Sequence, residues 1–299
     1  YHHGICTMNQ SVENEWKTVT KSDKKRLARN KHKTKKNLLK EEGWVVHSTI
    51  ATASSGIHAD GSSILSQFEL ETVSSQCRRD LQSTTFFSQL QDRLLMRPPP
   101  TSLFCYGIGN FGRKQSRPSA SMWQLACILE LRNLWKQQGK DIPLYYFDPV
   151  MTTEETNFLK NLSIHVMTEN DRGRRCVDDT TLFFMPHCPL ALYSNLLFTN
   201  LQTLYHLIIL GNSLTAYAHR LEQNCHTKLL QHLEPLWEEC HMDLPPPDEL
   251  QTLPGQFEQG FNDSSIIYFV RKPNDEKVRL PNELFDELLH HQDESGELI

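Results

Sequence analysis

Hydrophobic residues along the chain are arranged in two alternating patterns. From about residue 102 onward, short and nearly all-apolar runs alternate with longer stretches in which apolar residues recur at helical spacing. Short apolar runs separated by amphipathic helices are typical of parallel strands that are buried on both faces. Strands are predicted at 102–108, 143–149, around 164, 181–187 and 206–212, and in the later segment SSIIYFVRK.

The stretches between these strands predict helices. They lie at 86–95, 119–138, 153–162 and 192–201, with a last helix at 282–291. In the first of them, Phe87, Leu90 and Leu94 are expected to face inward. An earlier helix is indicated by apolar residues at helical spacing, namely Ile64, Leu65, Phe68, Leu70 and Val73. This order of elements predicts an α/β fold, a Rossmann-like, doubly wound and mostly parallel sheet with helices on both faces.

Polar composition divides the chain into four parts. Residues 1–63 are expected to form a basic, largely disordered tail and linker, since their last third is rich in Ser, Ala, Gly and Thr. Residues 64–95 form a helical lead-in, 96–292 form the Rossmann-type domain, and 293–299 form a second disordered tail.

Charge is distributed unevenly. Residues 21–40 contain ten Lys or Arg and one acid, Asp23, which makes this stretch +9 and leaves −14 for the rest of a chain of net charge −5. The acidic remainder argues against nucleic-acid binding by the folded domain. The basic stretch is compatible with a nuclear import signal, with a weak contact to nucleic acid or another polyanion, or with a solvated segment that only aids solubility.

The sequence favours a cytoplasmic protein and leaves a nuclear location open. Its longest strongly apolar stretch, 204–210, is far shorter than the roughly 20 residues of a membrane span, so no membrane contact is expected. The eight cysteines include no CxxC pair, which makes a disulfide framework improbable. Two Cys-His dipeptides, at 225–226 and 240–241, are poor metal sites because adjacent residues on a helix point to different faces, so no metal is expected.

Polar residues follow several of the predicted strands. In a doubly wound sheet the ligand cleft lies outside the carboxyl ends of the strands, so these residues are expected to line one cleft. The candidate residues are Gly107, Gly109, Asn110 and Gly112 after the first strand, Asp148 after the second, His187 after the fourth and Asn212 after the fifth.

The segment from Gly107 to Gly112 matches the GxGxxG pattern of dinucleotide-binding loops. Two departures weaken an NAD site: the next helix cannot begin much before Pro118, and Asp148 lies 36 residues after Gly112, where about 20 is expected. A nucleoside or S-adenosylmethionine site, with Asp148 on the ribose hydroxyls, remains open. So does a strand-to-helix turn without a ligand.

Chemically reactive candidates are few. His187 is a weak candidate for a general base, and the chain contains none of the common hydrolase, zinc-protease or P-loop motifs. The dipeptide Cys188-Pro189 is a candidate haem contact, because a cysteine thiolate binds haem iron. The alternative, a buried and inert cysteine at a proline-flanked strand end, is favoured.

Several sequence blocks together resemble the SRR-like family, which is named for sensitivity to red light reduced. The blocks are CYGIGNFG, MWQLACILEL, YYFDPV, TLFFMPHCP with LYSNLL, and LGNSL, and the resemblance runs from about Phe86 to Val270. The chain is most similar to animal-type members. The resemblance implies a regulatory protein of the circadian clock, with light signalling in plants and regulation of haem biosynthesis in animals, and no known reaction.

The resemblance and the residues together favour a non-catalytic regulatory protein. Its expected partners are other regulatory proteins. The cofactor is left open: a ligand of nucleoside type is the first alternative, and haem is less favoured. The alternative is an S-adenosylmethionine- or nucleotide-dependent enzyme, similar to a methyltransferase, that uses the same cleft.

Overall fold

The computed structural model describes residues 63–220, 223–270 and 277–294, with side chains up to residue 290. The predicted tail and linker at 1–63 and the predicted tail at 293–299 lie almost wholly outside the described residues. None of the helices in the described part of the chain has the length and apolar character that a bilayer span requires.

Seven strands and ten α-helices are present in the described residues. The strands are β1 Ser102–Tyr106, β2 Leu144–Phe147, β3 His165–Val166, β4 Thr181–Met185, β5 Leu207–Asn212, β6 Trp237–His241 and β7 Ser264–Phe269. The helices are α1 Gln67–Gln82, α2 Thr85–Leu95, α3 Ala120–Gln137, α4 Thr153–Asn161, α5 Leu190–Thr199, α6 Leu214–Ala218, α7 Cys225–Leu233, α8 Pro247–Leu250, α9 Phe257–Phe261 and α10 Asn282–Glu294.

All seven strands form one sheet in the order β3-β2-β1-β4-β5-β7-β6. The first five strands along the chain are mutually parallel, which confirms the prediction. Strand β7 lies between β5 and β6 and is antiparallel to both. The carboxyl ends of β1, β2, β4 and β5 therefore meet at one edge, which we call the carboxyl edge.

Helices cover both faces of the sheet, as predicted. One hydrophobic cluster packs α1, α2, α3 and α4 against one face, and a second packs α5, α7 and α10 against the other. Hydrogen-bonding caps explain where several of these helices begin, because a side chain of Ser66, Thr84, Ser119 or Thr152 accepts an N–H from the first turn. The inward positions of α2, Phe87, Leu90 and Leu94, are buried as predicted.

Two sequence interpretations are wrong at the level of the elements. Phe68 was grouped with the apolar positions of α1, yet it is 77% exposed, and the buried positions of this helix are Leu70, Ser74, Cys77 and Leu81. Cys240 and His241 lie on β6, a strand that the pattern missed because Glu238 and Glu239 interrupt its apolar run. In the described residues, no group of three His, Cys, Asp or Glu side chains is placed to hold a metal ion.

The connection between β3 and β4 contains no helix. The sheet face beneath it carries a row of rings in which Phe104 stacks between Tyr145 and Phe183, at centroid distances of 4.7 and 5.4 Å. Arg175 of the connection lies over Phe104 and pairs with Asp171 at 2.7 Å. A loop held by this ion pair thus covers the aromatic row where a doubly wound fold usually has a helix.

Candidate functional site

The loop 107–112, here called the glycine loop, leaves β1 at the carboxyl edge. Gly107 and Gly109 have φ angles of 64° and 79°, in the left-handed region that side chains with a Cβ rarely adopt. Gly112 is required for space instead, because a Cβ there would lie 2.9 Å from Cγ of Glu155. Glycine in this motif is therefore explained by backbone conformation at two positions and by close packing at the third.

Asp148 follows β2 and holds the glycine loop. Its Oδ2 accepts a hydrogen bond from the N–H of Gly109 at 2.7 Å, and its Oδ1 accepts one from the N–H of Val150 at 2.9 Å. Burial raises the pKa of this carboxyl, while the two hydrogen bonds oppose the shift. The predicted proximity of Asp148 to the glycine motif is present in the structure, although only 6% of the residue is exposed.

Glu155 is a second acid at the glycine loop, and the search for candidate residues missed it. Its Oε1 accepts the N–H of Gly112 at 2.5 Å, and its Oε2 accepts the N–H of Thr152 at 2.7 Å. Burial raises the pKa of this carboxyl. A signal was available, because Thr152 and Glu155 have the T-x-x-E spacing of a capping box. The capping box does not reveal the long-range bond to Gly112.

Helix α3 reaches the glycine loop despite the long connection before it. It begins at Ala120, after Pro118 as expected, yet Oγ of Ser121 lies only 3.2 Å from the position of a Cβ on Gly109. The late start of the helix therefore does not keep its first turn away from the loop. The intervening residues loop out, and the first turn of the helix still packs on Gly109.

His187 and Asn212 join the ends of β4 and β5. The N–H of His187 donates to Oδ1 of Asn212 at 2.5 Å, and the amide of Asn212 donates to the hydroxyl of Tyr217 at 3.2 Å. His187 has a φ of 56°, which is uncommon for a residue with a side chain, and its imidazole is exposed. Asn212 thus fixes the strained backbone of His187, and the side chain of His187 faces outward.

Cys188 follows β4 and contacts the end of β1 at the carboxyl edge. A Cβ on Gly107 would lie 3.0 Å from its sulfur, and its thiol donates to the carbonyl of Tyr106 at 3.4 Å. Burial raises the pKa of the thiol well above its usual range. A protonated, buried thiol agrees with the inert-cysteine interpretation and not with a ready haem ligand.

Two buried polar atoms near the glycine loop have no hydrogen-bond partner, Oδ1 of Asn110 and the hydroxyl of Tyr146. Buried polar groups are nearly always paired, and an unpaired one often marks the place of a water or a bound group. The ring of Tyr146 makes a T-shaped contact with Phe111 of the glycine loop, at a centroid distance of 6.3 Å. Both atoms are open to a hydrogen bond from a water or from a ligand group at the glycine loop.

The candidate residues thus form one connected patch. Gly109 and Gly112 are bonded to buried acids, Gly107 touches Cys188, and the backbone of His187 is bonded to Asn212. Gly107, Asp148 and Asn212 lie at the carboxyl ends of β1, β2 and β5, and only the parallel order of the sheet brings these ends to one edge. The patch is polar, as binding sites are. Its two acids, Asp148 and Glu155, hold the glycine loop in one conformation.

Comparison with known proteins gives concordant matches. The family model of the SRR1 domain matches residues 86–268. The SRR1-like protein of Mus musculus is 36% identical over 137 residues, which cover 45% of this chain and 53% of the mouse protein. Protein SENSITIVITY TO RED LIGHT REDUCED 1 of Arabidopsis thaliana is 33% identical over 170 residues, which cover 55% of this chain and 54% of that protein. The chain spans about half the length of these curated relatives.

Among solved structures, the plantazolicin methyltransferase BpumL in complex with SAH is similar over 68% of this chain and 90% of its own, at 12% identity and a TM-score of 0.30. A TM-score this low supports no conclusion about fold or activity. The family match covers more than half of the chain and agrees with the extent that the sequence blocks indicated. The chain therefore belongs to the SRR1 domain family.

Proposed function

We propose that this chain is a regulatory binding protein of the circadian system, whose carboxyl edge takes a nucleoside-type ligand. The regulatory part is supported by family membership and by the relative in Arabidopsis, whose name refers to sensitivity to red light. Regulation of haem biosynthesis is the narrower role that the resemblance implied for animal members. The buried thiol of Cys188 does not support direct haem contact as its mechanism.

The ligand part depends on one observation, the bond between Asp148 and Gly109. It sets the acid at the end of β2 beside the glycine loop of β1, where nucleotide-binding sheets place the acid that accepts ribose hydroxyls. Each oxygen of Asp148 accepts one backbone N–H, so each retains acceptor capacity for a ligand hydroxyl. The unpaired Oδ1 of Asn110 adds an acceptor on the same loop.

A methyltransferase-like enzyme is the second candidate, and the strand order favours it. The antiparallel β7 between β5 and β6 departs from the 3-2-1-4-5-6 order of dinucleotide-binding folds. Strand order alone assigns no activity, and the sequence contains no recognised catalytic set. We therefore place this candidate second.

Titration calorimetry with adenosine, NAD and S-adenosylmethionine tests the ligand proposal. We expect one of them to bind the full chain, and Asn110→Ala to weaken that binding by about tenfold through the loss of one hydrogen bond in a buried site. Asn161→Ala is the matched control, since Asn161 is exposed at the end of α4. Failure of all three ligands to bind, or equal binding by both variants, would contradict the proposal.

Turnover separates the two candidates. If S-adenosylmethionine binds, the chain is incubated with it and a cell extract, and S-adenosylhomocysteine is measured. A regulatory binding protein should form none above the level of extract alone. Sustained formation that Asn110→Ala reduces would favour the enzyme.

A further inference from the structure

Strand β6 forms one end of the seven-stranded sheet, and in the described residues it pairs with β7 alone. This pairing is antiparallel, so successive residues of β6 point their backbone N–H and C=O groups alternately toward β7 and away from it. The N–H of Met242 donates to the carbonyl of Ser264, beside β7, at 2.8 Å. The alternate residues Trp237, Glu239 and His241 therefore present their backbone groups to the outer edge of the sheet.

Most of the backbone groups on this outer edge have no partner. The N–H of Trp237 donates to the carbonyl of Glu234, in the turn before the strand. The N–H and C=O groups of Glu239 and His241 have no hydrogen-bond partner in the part of the chain that the structure describes. An edge of this kind can pair with an extended chain, which is a common mode of peptide recognition. The strand at the opposite end of the sheet, β3, has only two residues, so β6 offers the longer edge.

Acidic side chains flank the edge of β6 on both faces of the sheet. Glu238 lies on the face that α2 covers, where Arg97 pairs with it at 3.0 Å. Glu239 lies on the other face and accepts the backbone N–H and the hydroxyl of Thr215, at 2.9 and 2.8 Å. Both of these donors are neutral, so they leave the negative charge of Glu239 uncompensated. Asp243 follows the strand and is exposed.

The charge around β6 indicates which kind of chain the edge accepts. The stretch 237–263, from β6 to the start of β7, contains seven acidic residues and no Lys or Arg. This excess favours a basic partner and repels an acidic one. It also argues against pairing with a second copy of this chain. Antiparallel pairing of two β6 edges about Glu239 would place the two Glu239 side chains opposite each other, and like charges in that position are destabilising.

We propose that the outer edge of β6 binds an extended, basic segment of a partner protein, which adds to the sheet as one more strand. Backbone hydrogen bonds to Glu239 and His241 hold the segment, and its Lys or Arg side chains lie beside Glu239 and Asp243. This surface is separate from the glycine loop, because β4, β5 and β7 lie between β1 and β6 in the sheet. The proposal therefore stands whether or not the carboxyl edge binds a nucleoside.

Matched peptides test the chemistry of the partner. Fluorescein-labelled peptides of alternating Lys and Val, or of alternating Glu and Val, are titrated with the full chain and followed by fluorescence anisotropy. We expect the Lys peptide to bind at one saturable site, more weakly as salt is raised, and the Glu peptide to bind at least about tenfold more weakly. A Lys peptide that is methylated on every backbone nitrogen should not bind, because it has no N–H to donate to the edge. Equal binding by any two of these three peptides that includes the Lys peptide would overturn the proposal.

Variants locate the site on β6. His241→Pro removes an outward N–H and places a ring at the edge without removing a bond to β7, so the affinity for the Lys peptide should fall by about tenfold or more. His241→Ala keeps the N–H and is the matched control, which should bind normally. Asp243→Lys should also weaken binding, whereas Asp178→Lys makes the same change at an exposed position before β4 and should have no effect. Circular dichroism checks that each variant is folded.

Three further outcomes would decide against the proposal. Unchanged affinity in His241→Pro would show that the Lys peptide does not add to β6. A dimer of the full chain that dissociates in His241→Pro, measured by sedimentation velocity without peptide, would make a second copy the occupant of the edge. A gain of affinity on deletion of residues 21–40 would assign the edge to the chain's own basic stretch. Asn110→Ala should leave peptide binding unchanged even where it abolishes nucleoside binding, so the two proposals fail independently.

Discussion

Asp148 and Glu155 hold the glycine loop by the same device. Each carboxylate accepts one N–H from the loop and a second from the stretch between β2 and α4, so each ties the glycine loop to that stretch. Backbone groups in a glycine-rich loop have few local partners, and a buried acceptor that satisfies them fixes one conformation. At the scale of single residues, these acids keep the candidate site in shape.

Glu155→Ala should destabilise the chain strongly. The variant leaves the N–H groups of Gly112 and Thr152 without their acceptor and empties a fully buried position, which together should lower the free energy of unfolding by about 2–4 kcal/mol. Urea denaturation followed by circular dichroism measures it. Glu154→Ala, in the same first turn of α4, is the control and should cost much less. Similar losses in the two variants would show that Glu155 has no special role.

Helix α1 belongs to the folded core although it precedes the region that the family model matches. Leu70, Cys77 and Leu81 are fully buried against the rest of the domain. On the same face, the nearly buried Glu130 of α3 is paired with Arg78 and hydrogen-bonded by Gln82. A buried acid that depends on partners from another helix couples the two helices energetically.

A double-mutant cycle on Arg78 and Glu130 tests this coupling. Arg78→Met should cost about 1–3 kcal/mol of unfolding free energy, because it leaves Glu130 buried beside fewer donors. Adding Glu130→Met should recover a large part of the loss. Arg79→Met changes the neighbouring exposed residue and should be nearly neutral. Strictly additive losses in the double variant, measured by urea denaturation, would rule out the coupling.

Charge separation is the main feature of the whole molecule. The basic stretch 21–40 lies outside the described residues, and the remainder of the chain has a charge of −14. A basic segment attached to an acidic domain attracts polyanions through the segment and not through the domain. Binding of polyanions and nuclear import are therefore proposed for the tail, and ligand binding for the domain.

Deletion of residues 21–40 should separate these properties. The thermal midpoint of the domain should stay almost unchanged, since the buried core residues of the described chain lie between Leu65 and Leu288. Retention on heparin and the nuclear fraction of a fluorescent fusion should both fall. Replacement of the ten basic residues by Gln, with the length kept, is the control for chain length. Unfolding of the domain after the deletion would contradict this division of roles.

Much of the architecture could be predicted from local signals. The five parallel strands, the inward face of α2 and the ends of α3 followed from apolar periodicity. The errors have physical causes. Strand β6 was missed because two glutamates break its apolar run, and Phe68 was misassigned because its position in the periodic pattern does not show whether another element covers it.

The sequence by itself determined the class of fold, the family and the set of polar residues that follow the strands. These properties depend on periodicity and glycine positions, which act over a few residues. Tertiary structure alone decided that β7 enters between β5 and β6, that Glu155 bonds Gly112, and that the first turn of α3 packs on Gly109. Each of these three features joins residues that are far apart in the chain. Contacts of this kind depend on which buried polar groups still lack a partner once the sheet has formed.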